Sequence, residues 1–331
     1  MPQPSEASAS SPWNRNGLIR NAIGRALHEA MQSDPSIYLF GEGCSAKMHF
    51  DAPEIEREFP DRVHTLPIAE DSSINFAVGA ALLGVKPVVD VITADFLYRA
   101  MDSIANTASK LNSVLSEGES PKTIVIRSEF LTAGPTTGAR PEAALVHLPG
   151  VNVAIPSTPR DAYGLTHTAL RTPGVTVLFE DREIRDADTA PEDRGPFADD
   201  VPLGDALMRR SDPGARLTIV TYGLMRQRVE RALAAAEGCA VEVVDLRSLY
   251  PVDWPLLLAS VRRTQALLVV EPDVEYGGIG AEIVAAIVGR MRLRVAIRLG
   301  GRRITLPAAT ALHPLGMPTE EEILDAVRRF T

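Results

Sequence analysis

The stretch LPIAEDSSINFAVGAALLGVKPVVDVI, residues 66–92, decides how the chain is read. Residues 70–83 are apolar almost throughout, and their only carboxylates, Glu70 and Asp71, stand where a helix would begin. After Gly84 comes KPVVDVI, 86–92, a short β-branched run of the kind that forms a buried strand. A helix that turns tightly into a buried strand is half of a βαβ unit. Acidic groups in a first helical turn gain roughly 0.3–1 kcal/mol from the helix dipole. Asp71 could fill that role alone, so Glu70 is either a second dipole partner or a carboxylate buried for a purpose.

The same alternation continues on both sides. SIYLF (36–40), TIVIR (123–127), NVAI (152–155) and VTVLF (175–179) read as buried strands, with helical patterns over 17–32, 98–115 and 159–171 between them. Such alternation predicts a parallel sheet covered on both faces. The composition then changes: 183–204, EIRDADTAPEDRGPFADDVPLG, is rich in Asp, Glu, Pro and Gly and reads as a linker. Beyond it RLTIVTYG, AVEVVDL, ALLVVEP and RVAIRL alternate with helices to about 237, near 253–262, from Gly280 and from Thr319. The expected organisation is a leader at 1–16, a first α/β domain over 17–182, the linker, and a smaller α/β domain over 205–331.

A chain of 331 residues is long enough for two cores. Its net charge of -9 argues against nucleic acid or an anionic membrane surface as partner. The two cysteines, Cys44 and Cys239, form no metal or disulfide pattern. The N-terminal MPQPSEASASSPWNRN has no apolar core, so it reads as a disordered leader and not a signal peptide. No uncharged apolar run reaches membrane-spanning length. A reducing cytoplasm is the expected compartment.

Gly41-Glu42-Gly43-Cys44-Ser45-Ala46 follows a strand and fits a dinucleotide-binding pattern, but no apolar helix opens directly after it. A plain turn is the better reading. Gly277-Gly278-Ile279-Gly280 reads as a tight strand-to-helix turn, since no phosphate-loop Lys accompanies it. The six histidines show no ligand spacing, and no GxSxG elbow is present.

The run DRVHTLPIAEDSSINFAVGAALLGVKPVVDVITADFLYRAMDSIANTASKL resembles the β subunit of the E1 component of 2-oxo acid dehydrogenases, of pyruvate, branched-chain and acetoin types. The likeness continues through HLPGVNVAIPSTPRDAYGLTHTALRT, VEVVDLRSLYPVD, LLVVEPDVEYGGIGAEI and HPLGMPTEEEILDAV, and so covers 17–331. It implies an α/β fold of two doubly wound domains: a parallel-sheet domain that binds the thiamine pyrimidine, and a smaller transketolase C-terminal-like domain. It also implies thiamine diphosphate as cofactor, with the carboxyl matching Glu70 hydrogen-bonded to N1′ of the aminopyrimidine. Phe96 would pack on that ring, Ile68 would line the same cofactor site, and Glu42 matches a family Glu near the subunit interface.

The GDG motif that holds the diphosphate through Mg²⁺ is absent from this sequence. The family places it on a separate α subunit, which implies an α2β2 heterotetramer with the cofactor between chains and the Mg²⁺ held by the partner. Two positions depart from the family. Thr137 in GPTTGARPEAALVHLPG stands where a family His is expected, which bears on acyl transfer to a lipoyl-domain acceptor. His147 belongs to a later segment and does not replace it. At a potassium site described for some members, Ile124 and Ala169 match while Thr172 and Gly174 replace the acidic and amide residues, so no metal is expected on this chain. The expected activity is decarboxylation of a 2-oxo acid with acyl or hydroxyalkyl transfer. The alternatives are carboligation, acyl delivery to a carrier protein, and a non-catalytic stabilising subunit.

Overall fold

The computed structural model describes residues 18–42, 53–115, 117–131, 137–185, 197, 199–235 and 238–329. The leader at 1–16, the Gly43–Ala46 part of the glycine turn, and positions 186–196 and 198 of the linker lie outside the described residues. The first half runs α1 (Ile19–Ser33), β1 (Ile37–Gly41), α2 (Pro53–Glu58), β2 (Val63–Thr65), α3 (Glu70–Leu82), β3 (Lys86–Thr93), β4 (Thr123–Phe130), α4 (Glu142–Val146), β5 (Val151–Ala154), α5 (Pro159–Ala169), β6 (Gly174–Asp181) and α6 (Arg182–Arg185). The second runs β7 (Leu207–Ser211), β8 (Thr218–Thr221), α7 (Gly223–Ala234), β9 (Glu242–Asp245), β10 (Ser248–Tyr250), α8 (Trp254–Thr264), β11 (Ala266–Val274), α9 (Ile279–Val288), β12 (Val295–Gly301) and α10 (Glu320–Arg328).

Two sheets result, in the orders β10-β5-β6-β4-β3-β1-β2 and β12-β11-β8-β9-β7. Every pairing is parallel except the edges β10 with β5 and β7 with β9. The central strands β4 and β6 are buried along almost their whole length, apolar in their first halves and carrying the buried Arg127–Glu180 ion pair between them further on. The two antiparallel edges were not expected from the sequence. Strand β10 has three residues, comes from the second half, and completes the edge of the first sheet.

The helix expected over 98–115 is broken into 3₁₀ turns at Ala94–Tyr98 and Ala108–Ser113 around one π turn at Ser103–Thr107. Hydroxyl side chains compete for the backbone there: Ser109 Oγ donates to the Ala105 carbonyl at 2.8 Å and Ser113 Oγ to that of Lys110 at 2.6 Å. Asn112 bonds both the N–H and the C=O of Lys122, which ties this segment to the entry of β4.

Two apolar clusters each draw on both halves: in one, Ile23 and Leu27 of α1 join Leu224 and Met225 of α7, and in the other Val153 and Ile155 join Val220 and Leu249. A polar seam crosses the same junction. Arg209 of β7 donates to Asp161 of α5 at 2.5 Å and to Asp245 of β9 at 3.0 Å, and Ser157 Oγ also reaches Asp245 at 2.5 Å. Arg247 adds Asp161 at 3.3 Å and Asp205 at 2.8 Å. Three of these carboxylate and hydroxyl partners, Asp161, Asp245 and Ser157, are fully buried, so each needs the partner it has.

Candidate functional site

Glu70 is the first residue of α3, at 5% exposure, and faces a cavity of about 500 Å³ formed with Ala69, Asp71, Ser72 and Arg99. Asp71 is not its equivalent. Asp71 accepts a short hydrogen bond from Ser103 Oγ, which in turn receives Asn75 Nδ2 at 2.6 Å, so it packs α3 against the 103–107 turn. Both carboxyls line the cavity, but Asp71 is exposed and engaged by Ser103, whereas Glu70 is buried. Among the described residues its charged contact is Arg99 Nε at 3.5 Å, on a side chain that is 76% exposed and therefore a weak, solvent-screened partner.

Glu42 stands behind this point. Its Oε1 accepts the N–H of Ala69 at 3.0 Å, fixing the turn that delivers Glu70. Burial first, then the Glu70 and Asp90 carboxylates, push Glu42 above the usual carboxylate range, against the pull of the Ala69 N–H. Gly41, just before it, has φ +153, and a Cβ there would lie 2.4 Å from the Asp90 carbonyl oxygen. The glycine that suggested a nucleotide turn is thus required by the close approach of β1 to β3.

Phe96 is partly buried and packs on the first-sheet core from the 3₁₀ turn Ala94–Tyr98. Arg99, just after that turn, lines the Glu70 cavity, while Tyr98 at its end lines a second one of about 510 Å³ shared with Asp95, Thr137, Asp273 and Arg303. Thr137 therefore stands on the second space, not on the first. Asp95 joins the two segments, accepting the N–H groups of Gly138 at 3.1 Å and Ala139 at 2.7 Å. Ile68 is 79% exposed, a large uncovered apolar side chain that does not line the Glu70 cavity. His147 is exposed at the end of α4.

Arg99, Asp90 and Asp95 were not singled out from the sequence. For Asp95 a signal existed in its adjacency to Phe96, but its partners lie about forty positions downstream. The Gly277–Gly280 turn also has its reason: Gly280 N–H donates to Glu271 Oε2 at 2.9 Å, and Cβ atoms at 278 and 280 would strike that carboxylate at 2.6 and 2.5 Å. Among the described residues no group of three or more His, Cys, Asp or Glu is placed to hold a metal.

A buried helix-end carboxyl thus faces a cavity, with a partly buried aromatic on the neighbouring strand-end turn. The transketolase pyrimidine binding domain family matches residues 18–185, and the transketolase C-terminal domain family matches 204–323. The chain is 33% identical to the 2-oxoisovalerate dehydrogenase subunit beta 2, mitochondrial, of Arabidopsis thaliana, over 94% of this chain and 88% of that protein. It is 30% identical to the pyruvate dehydrogenase E1 component subunit beta of Rickettsia felis, over 94% of this chain and 97% of that one. A solved structure titled "Split gene transketolase, inactive beta4 tetramer" superposes with a TM-score of 0.77 at 23% identity, covering 95% of this chain and 97% of that one. The chain belongs to the transketolase-like family of E1 β subunits of 2-oxo acid dehydrogenases.

Proposed function

We propose that this chain is the β-type subunit of a two-component thiamine diphosphate enzyme that decarboxylates a 2-oxo acid. The observation that carries this reading is Glu70: a carboxyl at 5% exposure, on an apolar helix, facing a cavity of about 500 Å³. The residues present fit one end of the cofactor. Glu70 would hydrogen-bond the pyrimidine N1′, Phe96 would pack on its ring, and Ile68, uncovered in this chain, would be covered by cofactor and partner together. Bound there, the cofactor supplies the electron sink that lets carbon dioxide leave a 2-oxo acid.

The chain's own share is positional. Glu42 holds Ala69 and so sets where the Glu70 carboxyl stands. The Asp71–Ser103–Asn75 bonds fix the helix end from the other side. Binding at Glu70 would displace Arg99, which is exposed and gives way at small cost. No GDG sequence occurs in the chain. The diphosphate and Mg²⁺ are therefore assigned to an α subunit, in an α2β2 assembly with the site at the seam. No helix of the described residues is long and apolar enough to cross a membrane, and we assign the assembly to the cytoplasm.

Thr137 supports a second reading of the later half-reaction. A hydroxyl with no titration near neutrality stands where the resemblance places a His, which favours transfer to an acceptor other than the lipoyl group of a lipoyl-domain protein, such as a carrier protein or an aldehyde. A non-catalytic role is disfavoured by Glu70 and Phe96 themselves.

The test is co-expression with a GDG-bearing chain, followed by cofactor titration and decarboxylation of pyruvate and branched 2-oxo acids with an artificial electron acceptor. Glu70→Gln should cut turnover at least a hundredfold while the assembly forms normally. Unchanged turnover in that variant would overturn the assignment.

A further inference from the structure

Helix α5 is crossed by the stretch of chain that leads toward β7. Gly164 marks the crossing: a Cβ there would lie 2.5 Å from Val201 Cγ2, 2.6 Å from the Val201 nitrogen and 2.9 Å from the Asp199 carbonyl oxygen, so the stretch rests directly on the helix. Phe197 is buried, its ring centroid 6.0 Å from that of Tyr163, and its carbonyl accepts Arg25 Nη2 of α1 at 3.5 Å. Val201 is buried as well. Two ion pairs flank the crossing, Arg171 Nη1 with Asp200 Oδ2 at 2.5 Å and Arg160 Nη1 with Asp199 Oδ2 at 3.5 Å.

Residues 160, 163 and 167 share one face of α5, and Arg171 follows in the same row just past its end. His167 is 8% exposed and stands among these polar contacts. Its Nδ1 lies 2.9 Å from Arg171 Nη2. A guanidinium nitrogen only donates, so Nδ1 must accept, and the ring is neutral with its proton on Nε2. Nε2 is 3.7 Å from Glu29 Oε2, beyond hydrogen-bond reach, and is buried without a hydrogen-bond partner. Glu29 is already engaged by the Tyr163 hydroxyl at 2.5 Å and by Arg25 Nε at 2.7 Å.

A second proton on this ring is incompatible with the contact it makes. Placed on Nδ1, it sets two donors and two positive groups face to face. Arg171 must then move away, and Arg171 is the residue that holds Asp200.

We propose that His167 is an acid-sensitive latch: once protonated it expels Arg171 and frees the 199–201 stretch from α5, loosening the connection by which the first half leads into the second. The latch stands apart from the chemistry at Glu70 and does not depend on it.

The groups facing the ring are Glu29 and Arg25 on α1, Tyr163 and Arg171 on its own segment, and Asp200 on the overlying stretch. Burial first, then the Arg171 guanidinium, hold the imidazole below its ordinary value, against the pull of Asp200 and Glu29. The unfolded chain therefore takes this proton more readily than the folded one. The contribution of the latch is present above the ordinary imidazole value and is lost as pH falls below it. The Arg171 and Asp200 side chains are 57% and 47% exposed, so their pair adds little to global stability and its loss has to be read locally.

The experiment is hydrogen exchange with mass spectrometry on the full chain, with exposure times scaled for the intrinsic pH dependence of exchange. Protection of peptides covering 199–203 should fall about threefold from pH 7.5 to pH 5.5, the size a weak exposed pair supplies, while β4 stays protected. His167→Gln, which offers Arg171 an amide oxygen and does not titrate, should keep the stretch protected at both pH values. Arg171→Gln should leave it as open at pH 7.5 as the parent chain is at pH 5.5. Gly164→Ala, whose methyl group meets Val201, should open it at both, and circular dichroism on every variant guards against a folding defect. Nitrogen-15 NMR of histidine-labelled chain, assigned with His167→Gln, should show the Nε2–H tautomer at pH 8. Equal protection at the two pH values, a pH response that survives His167→Gln, or an Nδ1–H tautomer at pH 8 would overturn the proposal. Because neither cofactor nor turnover is involved, a failure here is distinguishable from a failure at Glu70.

Discussion

The carboxylate of Asp95 accepts the backbone N–H of Ala139 at 2.7 Å, and so binds the Phe96 turn to the segment that carries Thr137. The same carboxylate takes the N–H of Gly138 at 3.1 Å. Hydrogen bonds to an ionised acceptor contribute roughly 1.5–3 kcal/mol. Asp95→Ala should therefore lower stability by about 2 kcal/mol and open the 137–140 segment to limited proteolysis. Asp95→Asn, which keeps one acceptor oxygen but turns an NH2 group toward the other backbone N–H, should lose at least half of that in a urea titration.

Arg209 lies between two inaccessible carboxylates from opposite halves, Asp161 and Asp245. Removing the guanidinium leaves both charges buried without it. Arg209→Ala should cost about 3–5 kcal/mol. Chemical denaturation of the variant should show an earlier midpoint for both halves together, because the seam links them.

Gly41 sits where a side chain would meet Asp90. Gly41→Ala forces β1 from β3, a change of the overpacking kind that costs roughly 1–3 kcal/mol before backbone strain is added. The turn holding Glu42 moves with it, so cofactor affinity of the co-expressed assembly should fall along with the thermal midpoint.

Stability should also fall toward alkaline pH. Burial is the main cause that raises Glu271 to about 7 and Asp273 to about 8. A carboxyl raised on folding binds its proton more tightly in the folded chain than in the unfolded one. Its contribution is complete below the unfolded value near 4 and is lost as pH climbs through the folded value. The slope is about 1.4 kcal/mol per pH unit for each proton. Urea midpoints measured from pH 5 to 9 should decline through pH 8, and Glu271→Gln with Asp273→Asn should flatten the decline. Asp34 works oppositely: Lys86 and Ser36 hold it down at about 2 despite partial burial, so its contribution is present above the ordinary range and is lost as pH falls toward 2.

Much of this molecule is legible in its sequence, and the exceptions share a cause. TIVIR and VTVLF are apolar on both faces, which only a strand in the middle of a covered sheet tolerates, and they are β4 and β6. The acidic start of an apolar helix at Glu70 is visible too, but residue chemistry alone leaves a dipole partner and a functional carboxyl both open, and it is burial beside a cavity that sets Glu70 apart from Asp71. What stays hidden is pairing across long separations. Three residues at Ser248–Tyr250 have no period to read, and the antiparallel contact with β5 depends on a partner nearly a hundred positions earlier. The 103–113 segment has helical spacing, yet its hydroxyl and amide side chains take backbone groups that a regular helix would use. The second cavity is drawn from five separate segments, and no local motif marks Arg303 or Asp273.

The late arrival of β10 bears on how the protein is made. A nascent chain leaving the ribosome can assemble six of the seven strands of its first sheet while β5 remains an open edge, and that edge closes only after Tyr250 has emerged. The N-terminal half is then the portion most in need of chaperone shelter during translation, and a nascent chain stalled short of that strand would carry an unprotected template for aggregation.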